Sequence, residues 1–273
     1  MSAPKIWFVT GAARGFGRLW AEAALDRGDK VAATVRNLAT LDGLVRKYGD
    51  AILPLKLDVT DRAGVFAAVE HAHAHFGRLD VVATVAGYGF SGAIEEVGIE
   101  DARANIETNF FGTLSVVQAA IPLLRAQKSG HILTVSSLAG LIAMPTAGIY
   151  EAAKFAVEGM SEALAAEVAG FGIKVTIIEP GPYLTDFNTD RSLKEAPPIT
   201  AYDGVRAQLA AMLTPDAMGK PEATSEAILK VVDNDQPPLR LILGAMGPFV
   251  RQVYEERLKT WDAWQDVSLA AQG

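Results

Sequence analysis

Ser137, Tyr150 and Lys154 lie in the stretch Ser136-Ser137-Leu138-Ala139-Gly140 … Tyr150-Glu151-Ala152-Ala153-Lys154. Residues four apart on a helix share a face, so the phenol of Tyr150 and the ammonium of Lys154 are neighbours there. A free phenol titrates near about pH 10 and exchanges protons poorly at neutrality. A lysine ammonium beside it favours the phenolate and moves it toward the range a general acid–base needs. Ser137 adds a hydroxyl for the same substrate oxygen. The chemistry that this trio suits is proton transfer to or from an alcohol or carbonyl oxygen.

A second chemical signal lies near the N-terminus. Lys5-Ile6-Trp7-Phe8-Val9-Thr10 is a short apolar run that reads as a buried strand. Gly11-Ala12-Ala13-Arg14-Gly15-Phe16-Gly17 follows, then a helical stretch, Arg18–Leu25. Strand, glycine-rich turn and helix form the setting of a dinucleotide-binding loop. The glycines let the backbone approach a pyrophosphate, and the helix N-terminus supplies free N–H groups and a positive dipole end. The spacing is G-x-x-x-G-x-G rather than G-x-G-x-x-G. A second strand, 30–35, ends in Val35-Arg36, where an NAD site tends to place an acid for the ribose 2′-hydroxyl. Arg36 and Arg14 instead offer two guanidinium groups, which suit a 2′-phosphate. The expected cofactor is therefore NADP(H) rather than NAD(H).

Together these residues resemble the short-chain dehydrogenase/reductase superfamily in its compact single-domain branch. The likeness runs in order from about Lys5 to Gly181. Thr10-Gly11-x-x-x-Gly15-x-Gly17 is similar to the family's cofactor turn, with Phe16 inside it. Leu57-Asp58-Val59-Thr60 resembles the segment whose Asp contacts the adenine. Asn109, in Asn109-Phe110-Phe111-Gly112, stands where the family has its catalytic asparagine. Ser137, Tyr150 and Lys154 match its triad, with thirteen positions from Ser to Tyr. Pro180-Gly181 and Thr185 match the loop near the nicotinamide amide. Ala86-Gly87 keeps the small residues over which the cofactor lies.

The resemblance implies an α/β fold: a Rossmann-like, doubly wound, mainly parallel seven-stranded sheet with helices on both faces. It implies hydride transfer between NADP(H) and a carbonyl or secondary alcohol. Tyr150 would be the general acid–base, and Lys154 would lower its pKa and hold the nicotinamide ribose. Ser137 would position the substrate oxygen, and Asn109 would keep a water that links Lys154 to solvent. It also implies a homodimer or homotetramer. The chain departs from the family at Thr84-Val85, where two asparagines are usual, and at Ala153, often a serine. Two rival readings remain. A longer-branch epimerase or dehydratase that retains NAD would need a larger substrate domain and an acid after the second strand. A non-catalytic NADP(H)-sensing or scaffold protein would usually lack the Tyr or the Lys.

The elements that must position these groups alternate. Strands are expected at 5–10, 30–35, 52–57, 80–85, 131–136, 173–179 and 239–243. Helices are expected near 15–27, 40–48, 61–76, 101–127, 148–170 and 221–233. Near-continuous apolar strands such as Val81-Val82-Ala83-Thr84-Val85 imply a sheet covered on both faces, and alternation implies parallel βαβ units. Gly11, Asp58, Gly87, Ser137 and Pro180 all fall at or just beyond strand ends, where such sheets bind ligands. The stretch 182–219 breaks the pattern and is read as a segment over the substrate. Phe90, Ala139, Leu141, Met144, Tyr183 and Phe187 are candidate pocket walls, mostly apolar, which leans toward a hydrophobic substrate. The aromatic tail 247–264 is read as a helix used for core or subunit packing.

Bulk properties narrow the field further. The chain has 273 residues, half of them hydrophobic, so a single domain spanning 1–273 is expected. A net charge of −7 argues against a nucleic-acid partner held through phosphates. The chain has no cysteine and hence neither disulfide nor thiolate chemistry. No signal-like leader and no membrane-length apolar run is read, and a cytoplasmic protein is expected. His71, His73 and His75 imitate a metal motif but lack a third ligand in register, so no metal is expected. His131 reads as structural, and Glu95-Glu96 as a solvated loop or helix start.

Overall fold

The computed structural model describes residues 4–185, 189, 192–212 and 218–273. Its centre is a seven-stranded parallel sheet in the order β3-β2-β1-β4-β6-β7-β9. The strands are β1 (Ile6–Val9), β2 (Lys30–Val35), β3 (Ile52–Lys56), β4 (Val81–Thr84), β6 (Gly130–Val135), β7 (Ile173–Pro180) and β9 (Arg240–Leu243). Parallel neighbours need crossovers, and the helices supply them: α1 (Gly15–Asp26), α2 (Asp42–Tyr48), α3 (Arg62–Phe76), α4 (Ile99–Ile106), α5 (Gly112–Gln127), α6 (Gly148–Val168) and α8 (Thr224–Asp233). This is the expected Rossmann-like arrangement, and all of its strands are parallel.

Alternate residues of β1 feed two separate cores, as the two-residue period of a strand requires. Trp7 and Val9 pack on one face with Trp20, Ala21 and Ala24 of α1 and Ile228 of α8. Ile6 and Phe8 pack on the other with Val65 and Val69 of α3, Val116 and Leu124 of α5, and Leu164 of α6. The indoles keep their N–H groups satisfied inside this packing. Trp7 donates to Asp29 at 2.8 Å and Trp20 to Thr224 at 2.9 Å. The chain order reverses between β1 and β4, so a crevice opens at their carboxyl ends.

Three features differ from the sequence expectation. The helix expected over 101–127 is α4, a π-helical turn at Glu107–Phe111, and α5. The turn inserts Asn109 under the loop after β4, an effect of partners distant in sequence. A two-stranded parallel ribbon forms from β5 (Gly89–Ser91) and β8 (Leu193–Glu195), ahead of α7 (Asp203–Met212), which stands where the sequence suggests a short helical piece around Tyr202–Met212. Its strands are three residues long, too short to show a period. Finally, the tail is α9 (Gly247–Ala263) and α10 (Gln265–Ala270), and only Val250 of the two is buried. Tyr254, Leu258, Trp261 and Trp264 are exposed, so within this chain the tail is not core. No helix among the described residues is long and apolar enough to cross a membrane.

His131, at the start of β6, is the buried imidazole of the sheet. Its Nε2 lies 2.9 Å from the Thr176 hydroxyl, which itself donates to the Pro238 carbonyl. Burial, with Lys174 and Lys5 nearby, pushes His131 down to about 4 from 6.5. A depressed pKa means that the unfolded chain takes up the proton first. The stability held by neutral His131 is complete above about pH 6.5 and is lost as pH falls toward about 4. Urea denaturation of wild type and His131→Leu at pH 7 and pH 4.5 should show the larger acid loss in wild type, with a limiting difference of about 3 kcal/mol.

Candidate active site

The site begins where β1 ends. Thr10 is buried, and its hydroxyl accepts from the backbone N–H of Val85 (2.9 Å) and Ala86 (3.0 Å). Thr10 therefore fastens the glycine turn to the loop after β4. Gly11 follows with φ +70°, and a methyl there would meet Ala86 Cα at 2.9 Å. Both conditions demand glycine. Gly17 packs as tightly: its added Cβ would lie 2.5 Å from the Gly11 carbonyl oxygen. Gly15, with φ +55°, faces open space at the first residue of α1.

α1 has no acidic residue in its first turn and no side-chain cap, so its N-terminal N–H groups and dipole remain for an anion. These features fit a dinucleotide pyrophosphate. Phe16 follows Gly15 in this turn. Its ring stacks on Trp20 at 5.5 Å and meets the edge of Tyr183 at 5.3 Å. Arg14 donates through Nε and Nη2 to the Ser192 hydroxyl, at 3.1 and 2.8 Å. Arg36 is exposed just past β2. Asp58 is exposed after β3 and accepts from the backbone and hydroxyl of Thr60, while Val59 is buried against Gly112.

Asn109 is fully buried within the π-helical turn. Its amide donates to the carbonyls of Tyr88 (3.0 Å) and Asn105 (3.1 Å), and its oxygen accepts from Tyr88 N–H at 3.2 Å. Every amide atom is thus spent on clamping the Gly87–Tyr88 loop to α4. A methyl on Gly87 would meet the Asn109 oxygen at 2.5 Å and lie 3.8 Å from Lys154 Nζ. The loop, Asn109 and Lys154 therefore form one packed unit.

Ser137 follows β6, and Tyr150 and Lys154 sit in the first two turns of α6. Ser137 accepts from Ala139 N–H at 3.1 Å and reaches the Pro180 carbonyl at 3.5 Å. Burial pushes the Tyr150 phenol well above its usual range, while a hydrogen bond from Ser137 pulls it down and the Glu151 carboxyl pushes it up. Lys154 is buried, donates to the Val135 carbonyl at 2.9 Å, and lies 5.6 Å from the centre of the Tyr150 ring. Burial lowers it to about 8, opposed by Glu158. Desolvation rather than the Lys154 charge governs the phenol.

Beside this group, Gly181 N–H donates to the Leu243 carbonyl and fixes the Pro180-Gly181 corner. Thr185 N–H donates to the Tyr183 carbonyl at 2.9 Å.

Two proposed wall residues lie elsewhere. Tyr183 is in the core on the α1 face, against Phe16, Gly219 and Gly244. Leu141 packs with Ile142 and Val250 toward α9. Phe187 lies outside the described residues. Phe90, in β5, is buried.

Glu95 and Glu96 lie in a 3-10 turn, Ile94–Glu96, which agrees with a helix start, but the Glu96 carboxylate is tied down: it accepts from Ala93 N–H (2.7 Å), Ile199 N–H (2.6 Å) and Arg206 (2.7 Å). Its side chain is 1% exposed, so it is no solvated loop residue. Glu95 accepts from the Tyr202 hydroxyl at 2.5 Å. No local pattern marks the contacts to Ile199, Tyr202 and Arg206, because those partners lie about a hundred positions away.

A family model described as short chain dehydrogenase matches residues 5–196. The chain is 41% identical over 271 residues to the oxidoreductase BOA17 of Botryotinia fuckeliana, covering 98% of this chain and 99% of that one. It is 36% identical over 264 residues to the 3-ketodihydrosphingosine reductase of Bacteroides thetaiotaomicron, covering 94% and 93%. A crystal structure of a short-chain dehydrogenase from Streptomyces avermitilis superposes with a TM-score of 0.91 at 34% identity, over 99% of both chains. Among other solved structures of this fold, some hold NADP and one holds NAD.

Thr10→Val should leave the N–H groups of Val85 and Ala86 without a partner. The expected loss is about 2 kcal/mol of unfolding free energy, read by urea denaturation.

Proposed function

The chain belongs to the short-chain dehydrogenase family of nicotinamide-dependent oxidoreductases, and from that premise we propose that it moves hydride between NADP(H) and a carbonyl or secondary alcohol. The observation that carries the reading is the convergence of Ser137, Tyr150 and Lys154 beside Gly87 and Pro180. Ser137 hydrogen-bonds Tyr150, and Lys154 lies under its ring.

NADP(H), when bound, supplies or accepts the hydride. In reduction, Tyr150 gives its proton to the carbonyl oxygen, and in oxidation it takes that proton back. Ser137 donates to the same oxygen and to the phenolate that forms. Lys154, held by the Val135 carbonyl within reach of Gly87, places a positive charge beneath the phenol and a donor toward the nicotinamide ribose. Reduction requires both protons in place, one on Tyr150 and one on Lys154.

Asn109 acts in this reading through the loop it clamps and by keeping a water that links Lys154 to solvent. Thr10 holds the turn, while Gly11, Gly15 and Gly17 shape it for the pyrophosphate. Asp58 and Val59 flank the adenine, Ala86-Gly87 lies beneath the cofactor, and Pro180, Gly181 and Thr185 border the nicotinamide. Arg14 and Arg36, at the ribose rim, support NADP(H). Phe16 lies in the turn, with its ring packed against Trp20 and Tyr183.

The segment 182–219 is read as the cover of a hydrophobic substrate, within one domain spanning 1–273. In support, β8 pairs with β5, and Glu96 holds Ile199 and Arg206. Ile94, Leu184 and Ile199 present apolar surface near this cover. The Bacteroides relative, a keto reductase by name, is consistent with a ketone.

Tyr150→Phe should abolish reduction in a 340 nm assay over a panel of apolar ketones while leaving NADPH binding, read by fluorescence titration, nearly unchanged. Normal turnover by the folded variant would sink the assignment. Arg14→Ala should weaken NADPH binding about tenfold or more and leave NADH binding little altered. Glu96→Gln should raise KM for the ketone several-fold, with the Kd for NADPH constant.

A further inference from the structure

Behind the triad lies a second set of titratable groups that the mechanism above does not use. Each member sits next to a proposed site residue. Ser136 adjoins Ser137, Glu179 adjoins Pro180, and Glu158 is one helical turn beyond Lys154 on α6. Glu158 and Glu179 are both buried. The single Nε–H of Arg240 lies 3.3 Å from Glu158 and 3.5 Å from Glu179, while its Nη2 pairs with the exposed Glu162 at 2.8 Å. One N–H cannot satisfy two buried carboxylates. Glu158 Oε1 and Glu179 Oε1 in fact have no hydrogen-bond partner.

A proton placed between the two acids satisfies both orphan oxygens at once. Burial raises both carboxyls, Glu179 to about 8, where the neighbouring Glu158 adds to the rise and Arg240 opposes it. The pair also touches the site. Ser136 reaches the Lys154 carbonyl at 3.5 Å and the Glu158 carboxyl. A methyl on Gly140, in the turn after Ser137, would come within 3.0 Å of the Lys154 carbonyl oxygen and of Glu158 Cγ.

We propose that Glu158 is a positioning residue for Lys154, acting as one half of a buried acid pair with Glu179 that shares a single proton and keeps the Lys154 ammonium charged. The proposal rests on the oxidoreductase reading above. The charged and titratable groups around the pair are Lys154 and Glu162 on α6, Arg240 on β9 and Tyr254 on α9. The last three line a surface cavity of about 650 Å³, and the buried Glu179 lies at its wall. Near neutrality the pair carries one negative charge. As pH rises through about 8 it gains a second, in the range where buried Lys154 would otherwise lose its proton. The added charge holds that proton on, so reduction extends further into the alkaline range.

The test is the pH dependence of kcat/KM for reduction in wild type, Glu158→Gln, Glu179→Gln and Tyr150→Phe. Both Gln variants should lose activity at lower pH than wild type, by about 0.5 unit or more, Glu158→Gln by the larger amount. Glu158→Asp should restore the wild-type limb. If Glu158→Gln does not fold, Glu179→Gln carries the same comparison.

A second readout is independent of turnover. Glu179 is raised above its unfolded pKa, so wild type loses stability as pH rises through about 8, and Glu179→Gln does not. The melting temperature of Glu179→Gln relative to wild type should therefore climb between pH 7 and pH 9. Unchanged alkaline limbs with an inactive Tyr150→Phe would overturn the acid-pair proposal and leave the oxidoreductase reading standing. An active Tyr150→Phe would remove that reading itself. A flat difference in melting temperature would exclude the shared proton.

Discussion

The parallel pairing of β1 with β4 is the constraint on which the site depends. It brings Trp7, Phe8 and Val9 beside Val81, Val82 and Ala83, and so sets the glycine turn against the Ala86-Gly87 loop. The Thr10 hydroxyl closes the junction through two backbone N–H groups. From there the contacts pass outward. Ala86 leaves no room for a side chain at Gly11, Gly87 lies on Asn109, and Asn109 clamps Tyr88 to the helix that carries it. Close-packed interiors transmit such displacements rather than absorb them. A slip at β1–β4 would therefore reach Lys154, which lies across the same loop.

Burial is the second organising influence, and it acts on charge. The site places a phenol, an ammonium and several carboxyls where water cannot solvate them. Desolvation disfavours the charged form of each, which raises Tyr150, Glu151 and Glu179 and lowers Lys154. Two of the shifted groups, Lys154 at about 8 and Glu151 at about 7, are brought near the working range of an acid–base centre. Glu151 is also structural: it accepts from Met144 N–H at 2.6 Å and so holds the loop that leads from Ser137 to α6.

The strands of the seven-stranded sheet were readable because each is a short, mostly apolar run, and the long helices because each is long enough to show its period. The trio Ser137, Tyr150 and Lys154 was readable for a related reason. Two of its members share one helix face, and the third closes the strand just before that helix. What could not be read were contacts between segments that carry no signal of their own. The three-residue strands β5 and β8 have no period to detect. Glu96 looks like any surface glutamate until Ile199 and Arg206 arrive. Tyr183 follows Pro180-Gly181 and so suggests a pocket wall, yet its ring turns into the core against Phe16.

By itself the sequence determined the alternating α/β order, the glycine turn after β1, and the residue types that can exchange a proton with an oxygen. These follow from local rules: backbone freedom at glycine, the strand and helix periods, and the reach of side chains one turn apart. Only the tertiary structure decided which polar groups are spent on architecture. Thr10 and Asn109 are committed to backbone partners, Phe16 and Tyr183 to packing, and Glu158, Glu179 and Arg240 to one buried cluster. The physical reason is that hydrogen bonding and desolvation depend on everything within a few ångströms, and most of those neighbours come from distant parts of the chain.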